Sequence, residues 1–278
     1  MQKFLLTLSI ASLILVGCKG RNNATQPTET IQFNVSTFEQ TTQPMHMPAA
    51  NILDDEGGVT LTDLYVFDGT TQLAHQTSDM DDFGTVTISL THGSHSLSFI
   101  LTRSTGITYS NGILSFSSVR STFGKVFALN VTGSTGTQDL TLDRISGQMI
   151  ITINDAFPSE AAEIEFIINP RYTQLDVTNL QAVNGESNAT KVSCTSKVGL
   201  SGQTYTFNHI CPSLLAETEV EVTINVYNTG GTVIYSVSIP NVRLAANAKT
   251  LLSGNLFNSP SITINTNTSW NESISQSW

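Results

Sequence analysis

The side chains of this 278-residue chain that could do chemistry are three cysteines, five histidines and twenty-two Asp and Glu residues. Cys194 and Cys211 stand 17 residues apart, a spacing that permits a disulfide in an oxidising compartment and equally permits two buried thiols. His209 is the one histidine near them. No CxxC or HxxxH pair accompanies it, so a zinc site is not expected. His92 and His95 flank a turn, and His46 and His75 have no partner at ligand spacing. The acidic runs Asp54-Asp55-Glu56 and Asp79, Asp81, Asp82 lack the spacing of a calcium loop and read as solvated surface. There is no GxSxG, HExxH or P-loop, and no carboxylate pair is singled out as acid and base. Trp270 and Trp278 could stack on sugar faces, although strand-end packing is the commoner role of such residues. The chain is therefore expected to have no catalytic residue, no metal and no cofactor, and to be no enzyme.

The third cysteine carries a positive signal. Lys3 precedes an apolar run from Phe4 to Val16, too short to span a bilayer, and the run ends in Leu15-Val16-Gly17-Cys18. A small residue before such a Cys resembles a lipobox, in which the thiol takes lipid and becomes the mature N-terminus. Residues 1–17 are then a signal peptide. Residues 18–30, polar and holding Pro27, are a tether from an outer-membrane lipid anchor.

These residues must be positioned by strands. Thr and Ser make up 38 and 31 of the 278 residues, and charged residues are only 12%. Thr, Val and Ile favour strands, and low charge argues against coiled coil and charge-driven disorder. Net charge is −10, so a phosphate-reading surface is not expected and nucleic acid is not a partner. The ten Asp and Glu between Arg21 and Arg103 face no Lys or Arg in that stretch. Apolar alternation predicts strands at Ile31 to Val35, Thr62 to Phe67, Ile113 to Phe116, Val126 to Val131, Met149 to Ile153 and Ile164 to Ile168. It predicts one hairpin from Val86–Leu90 and Leu97–Leu101 around His92-Gly93-Ser94. A second is predicted from Val220–Val226 and Val233–Ile239 around Asn228-Thr229-Gly230-Gly231. Ser159 to Glu163 could form one helical turn, and Ile262 and Ile264 lie in a last strand. Leu64 to Gly69 echoes Ile224 to Thr229, a weak internal similarity. The expectation is an all-β chain of two tandem sandwiches, 31–140 and 141–278, with the seam near Gly136 to Arg144.

A lipobox followed by two sandwiches resembles the fimbrillin-type proteins of Bacteroidales, in particular the FimB-like, Mfa-like fimbrial anchor subunits. Several segments carry the resemblance: Leu61 to Gly69; Asp82-Phe83-Gly84 with Thr85 to Leu90 and Thr91 to His95; Leu140 to Arg144 followed by Met149 to Ile153; and Leu252 to Leu256 followed by Ser261 to Trp270. The resemblance implies transthyretin-like sandwiches and a type V pilus subunit whose partners are other fimbrial subunits, joined by strand donation. Stalk subunits of that family are cut by a trypsin-like protease after an Arg near the first strand. Here Lys19 and Arg21 are the only Lys or Arg between Cys18 and Arg103, which implies a subunit that keeps its lipid and anchors or ends a pilus. Lys19-Gly20-Arg21 departs from the acidic residues that follow the lipid Cys in surface-exported lipoproteins of this group, so the leaflet faced stays open. The alternative function is a surface lipoprotein that binds glycans or host protein.

Overall fold

The computed structural model describes residues 26–37, 61–213, 216–258 and 261–267. Among these the chain is almost entirely strand, with one 3-10 turn at Thr195–Lys197 and no α-helix. Where one helical turn is expected, Ser159 and Glu160 make a single turn closed by the Ala161 N–H on the Pro158 carbonyl at 3.1 Å, and a strand starts at Glu163.

The first sandwich uses β1 (Thr28–Thr37), β2 (Asp63–Asp68), β3 (Thr71–Thr77), β4 (Thr85–Thr91), β5 (Gly93–Thr102), β8 (Thr122–Val131) and β9 (Gln138–Arg144). They form one sheet in the order β3-β2-β5-β8-β9-β1-β4. The sheet turns a corner between β8 and β9, where only Phe123 with Arg144 and Gly124 with Asp143 pair. The two layers close on Ile31, Phe33, Val86, Ile88 and Leu142 from one side and Leu64, Val66, Leu97, Phe99 and Phe123 from the other.

The second sandwich repeats this plan with β10 (Ser146–Ile153), β11 (Glu163–Arg171), β14 (Glu186–Ser193), β15 (Gln203–Ile210), β16 (Thr218–Tyr227), β17 (Val233–Leu244) and β18 (Lys249–Asn255). Its layers are β15-β10-β18 and β14-β11-β16-β17, matching β4-β1-β9 and β3-β2-β5-β8 strand for strand. In both, the first strand lies parallel to the last, β1 to β9 and β10 to β18. By this order β2 corresponds to β11 and β5 to β16. The echo of Leu64 to Gly69 in Ile224 to Thr229 therefore joins strands that are not equivalent. Among the described strands of the two sandwich layers, β19 (Ser261–Asn267) has no counterpart and lies antiparallel on the outer side of β18.

Of the two expected hairpins, the second forms. β16 and β17 pair directly, and Asn228 Oδ1 accepts the N–H of Gly230 at 3.0 Å and of Thr232 at 2.9 Å to close the turn. The first does not form. β4 pairs with β1 while β5 pairs with β2 and β8, so the chain through His92-Gly93-Ser94 crosses from one layer to the other. An arch and a hairpin each give two strands with one buried face, so alternation alone does not separate them.

A third cluster joins the halves. The hairpin of β6 (Thr105–Ser110) and β7 (Ile113–Ser118) comes from the first half; β12 (Gln174–Asp176) and β13 (Gln181–Val183) come from the second. β7 pairs with β12 through Leu114 and Leu175, making a small bridging sheet in the order β13-β12-β7-β6. It packs Leu114, Phe116, Leu175 and Leu180 onto Tyr65, Phe67 and Ile100. This cover explains why Leu64-Tyr65-Val66-Phe67 is apolar on both faces. The strand order changes over at Ile145, the single residue between β9 and β10.

Candidate functional site

Cys18, Asp54 to Glu56, His46, Trp270 and Trp278 lie outside the described residues. Asp79, Asp81 and Asp82 sit exposed in the turn after β3, with Asp79 taking a hydrogen bond from the Thr77 hydroxyl. Among the described residues no group of three His, Cys, Asp or Glu could hold a metal ion. His75 lies flat on Tyr65, centroids 4.1 Å apart, and is held by Asp63 at 2.9 Å. His95 is not a free turn residue: Nδ1 meets Asp68 Oδ2 at 2.6 Å and Nε2 meets the Thr91 carbonyl at 2.8 Å.

The disulfide that the spacing permits is not formed, and Cys194 and Cys211 are separate buried thiols. The Cys194 main-chain N–H donates to the Ala162 carbonyl, just before β11, while Cys211 follows β15 and its main-chain N–H donates to the Ile145 carbonyl. They flank opposite ends of β15, separated by on the order of 20 Å at about 3.3 Å per residue. A bridge needs Cα atoms within about 7 Å. Burial pushes the Cys211 thiol up to about 12. His209, next to it in sequence, is fully buried, and desolvation with the nearby Arg171 charge lowers it to about 3. Gly147 lets this histidine pack, since a Cβ there would meet Ala245 O at 2.5 Å and His209 Nε2 at 2.6 Å. Neither thiol nor imidazole opens to substrate.

The first strand is held on both sides. β1 runs through the middle of its layer, antiparallel to β4 from Thr28 with Thr91 to Asn34 with Thr85, and parallel to β9 from Phe33 with Gln138 to Thr37 with Leu142. Its alternation sends Ile31, Phe33 and Val35 into the core and Gln32, Asn34 and Ser36 outward. The Phe33 ring meets those of Phe99 at 5.1 Å and Phe127 at 6.3 Å. On the outer face Asn34 Nδ2 donates to Asp139 Oδ1 at 2.8 Å, and Ser36 Oγ lies 3.3 Å from Thr141 Oγ1.

The entry of β1 is pinned twice. The His92 N–H donates to the Pro27 carbonyl at 2.8 Å. The Glu29 carboxylate accepts from Gly133 N–H at 2.8 Å, Thr135 N–H at 2.5 Å and the Thr135 hydroxyl at 2.8 Å. Partial desolvation works to raise the Glu29 pKa, but these hydrogen bonds outweigh it and hold the carboxyl below its ordinary value. Sequence reasoning missed this contact, because its partners, two backbone N–H groups and one hydroxyl, lie 104 to 106 residues away.

The last strand is placed differently. β19 pairs along its whole length with β18, from Asn255 with Ser261 to Lys249 with Asn267, and occupies the end of its layer. The turn leading to it is fixed by Asp155, which accepts the N–H groups of Leu256, Phe257 and Asn258 at 3.0, 2.7 and 2.8 Å.

No protein-family model matches this sequence, and no curated protein matches it. Solved structures do share its fold. The fimbrial anchor protein Mfa2 from Porphyromonas gingivalis is 11% identical, with a TM-score of 0.55 over 90% of this chain and 100% of that one. A candidate adhesin from Bacteroides ovatus is 12% identical, with a TM-score of 0.55 over 82% of this chain and 88% of that one. A candidate adhesin from Bacteroides thetaiotaomicron is 9% identical, with a TM-score of 0.50 over 91% and 99% of the two chains. The chain thus has the all-β sandwich fold found in these fimbrial and adhesin proteins of Bacteroidales.

Proposed function

We propose that the protein is a cell-surface subunit of fimbrial or adhesin type and, more finely, a lipid-anchored subunit that anchors or ends a type V pilus. In this reading residues 1–17 are removed, Cys18 carries the lipid in the outer membrane, and the tether expected over 18–30 ends where β1 begins at Thr28. The two sandwiches divide at Ile145, between β9 and β10, with the bridging sheet holding them together. The partners are fimbrial subunits and the membrane, and no step of catalysis is assigned.

One observation supports this most. β1 lies between two neighbours, so a chain lacking it would have a groove with two unpaired edges. A foreign strand can fill such a groove through main-chain hydrogen bonds, with alternate side chains entering the pockets of Ile31, Phe33 and Val35. Residues 22–102 contain no Lys or Arg. A trypsin-like protease has no site there to free β1, and the groove stays closed. Of the strands bound along one side only, β19 is the one added beyond the shared plan of the two sandwiches, and it is our candidate for joining a neighbour.

Mass spectrometry of the chain taken from its native membrane tests this. The expected result is one chain holding both a lipid-modified Cys18 peptide and residues 28–37. A chain trimmed between Phe33 and Tyr65 would overturn the anchoring role.

A further inference from the structure

The alternation of β1 leaves its register under-specified. A slip of one residue would turn Ile31, Phe33 and Val35 outward and is excluded by the core. A slip of two keeps every apolar side chain inward and moves the strand by only about 6.7 Å. The ring pocket of Phe33 opposes that slip by size, and a charged contact at the entry of the strand adds a second discriminator.

We propose that loop 133–136, between β8 and β9, is a carboxylate receptor that sets the register of whichever strand lies between β4 and β9, with Glu29 its resident ligand. The loop has the geometry for this. Gly133 and Gly136 take positive φ values of +93° and +68°, and the main-chain N–H groups of Gly133 and Thr135 converge on one carboxylate. The Thr135 hydroxyl supplies a third donor. Both carboxylate oxygens are used, so a neutral amide in the same place forfeits the charge and turns an acceptor into a donor facing donors. Glu29 stands two residues before Ile31, the first inward apolar residue. A two-residue slip would carry its carboxylate a full strand repeat away from the loop. The recognised partner is thus a β-strand with an acid two residues ahead of its first buried apolar residue. In the reading above the groove keeps its own β1, so in this chain the loop acts on Glu29, and its geometry does not depend on that reading.

The test uses the full chain in detergent and two biotinylated peptides of residues 28–37, one with Glu and one with Gln at position 29. Wild type, E29Q and the outward-facing control Q32A are compared by amide exchange over residues 28–37 and by peptide capture in mild urea. E29Q should exchange the amides of β1 on the order of tenfold faster than wild type and capture the Glu peptide on the order of tenfold better than the Gln peptide. Q32A should behave as wild type. Equal protection of β1 in E29Q and wild type, or equal capture of the two peptides by E29Q, would overturn the proposal. The assay contains no fimbrial partner, so a failed pilus role leaves its outcome unchanged.

Discussion

His95 shows how a side chain beside a turn becomes structural. Its two ring nitrogens meet Asp68 and the Thr91 carbonyl, so the protonated ring is satisfied on both sides. The hydrogen bond to Asp68 raises its pKa from 6.5, against a smaller opposing effect of desolvation. A raised histidine contributes its stability in full below the unfolded pKa and loses it as pH climbs through the folded value. Between about pH 6 and pH 8 the wild-type thermal midpoint should therefore fall. D68N should start lower, by about 1 kcal/mol at the acid end, and show a flatter profile. Parallel melts of the two chains at both pH values check this; identical slopes would remove His95 from the stability account. The sequence shows His95 and Asp68 but not their meeting, because the 27 positions from one to the other pass through β4 in the other layer before returning to β5 beside β2. Glu29 was less legible still. Two of its three donors are main-chain N–H groups, which leave no mark in residue type beyond the glycines of the loop.

Strands were the readable elements wherever one face is buried. Ile31 to Val35, Val86 to Leu90 and Val220 to Val226 alternate because each borders a core on one side only. β14 was invisible for the opposite reason: it is an edge strand, exposed nearly throughout, and carries no alternation. Pairing was harder than existence. The β16–β17 hairpin has a turn whose Asn side chain bonds its own backbone, whereas the β4–β5 arch has the same inward pattern with neighbours from elsewhere in the chain. The account gives β1 its strongest hold at Phe33, fully buried between Phe99 and Phe127. F33A should cost about 3–5 kcal/mol in urea unfolding and speed amide exchange along β1, with β16 and β17 unaffected below the global transition. A loss below about 1 kcal/mol would mean that β1 is not an integral core strand.

At the scale of the molecule, two sandwiches of one strand order follow each other with a single residue between them, and a sheet drawn from both halves bridges them. Composition and the absence of helical periodicity made the all-β tandem readable. The bridge was not, since β7 and β12 are short insertions that meet only through folding. Leu175, fully buried in that bridge, should couple the halves. L175A should cost about 2–5 kcal/mol and split a single calorimetric transition into two; one unsplit transition would show that the bridge does not carry the coupling. The central claim is that this chain keeps its own first strand and joins a fimbrial neighbour through strand addition. Its most direct test is to capture the protein from its native membrane and identify by mass spectrometry what stays bound in SDS without boiling. The account predicts a ladder of fimbrial subunits on a chain that retains residues 28–37 and a lipid-modified Cys18. Recovery of the chain alone, with no protein held through SDS, would contradict it.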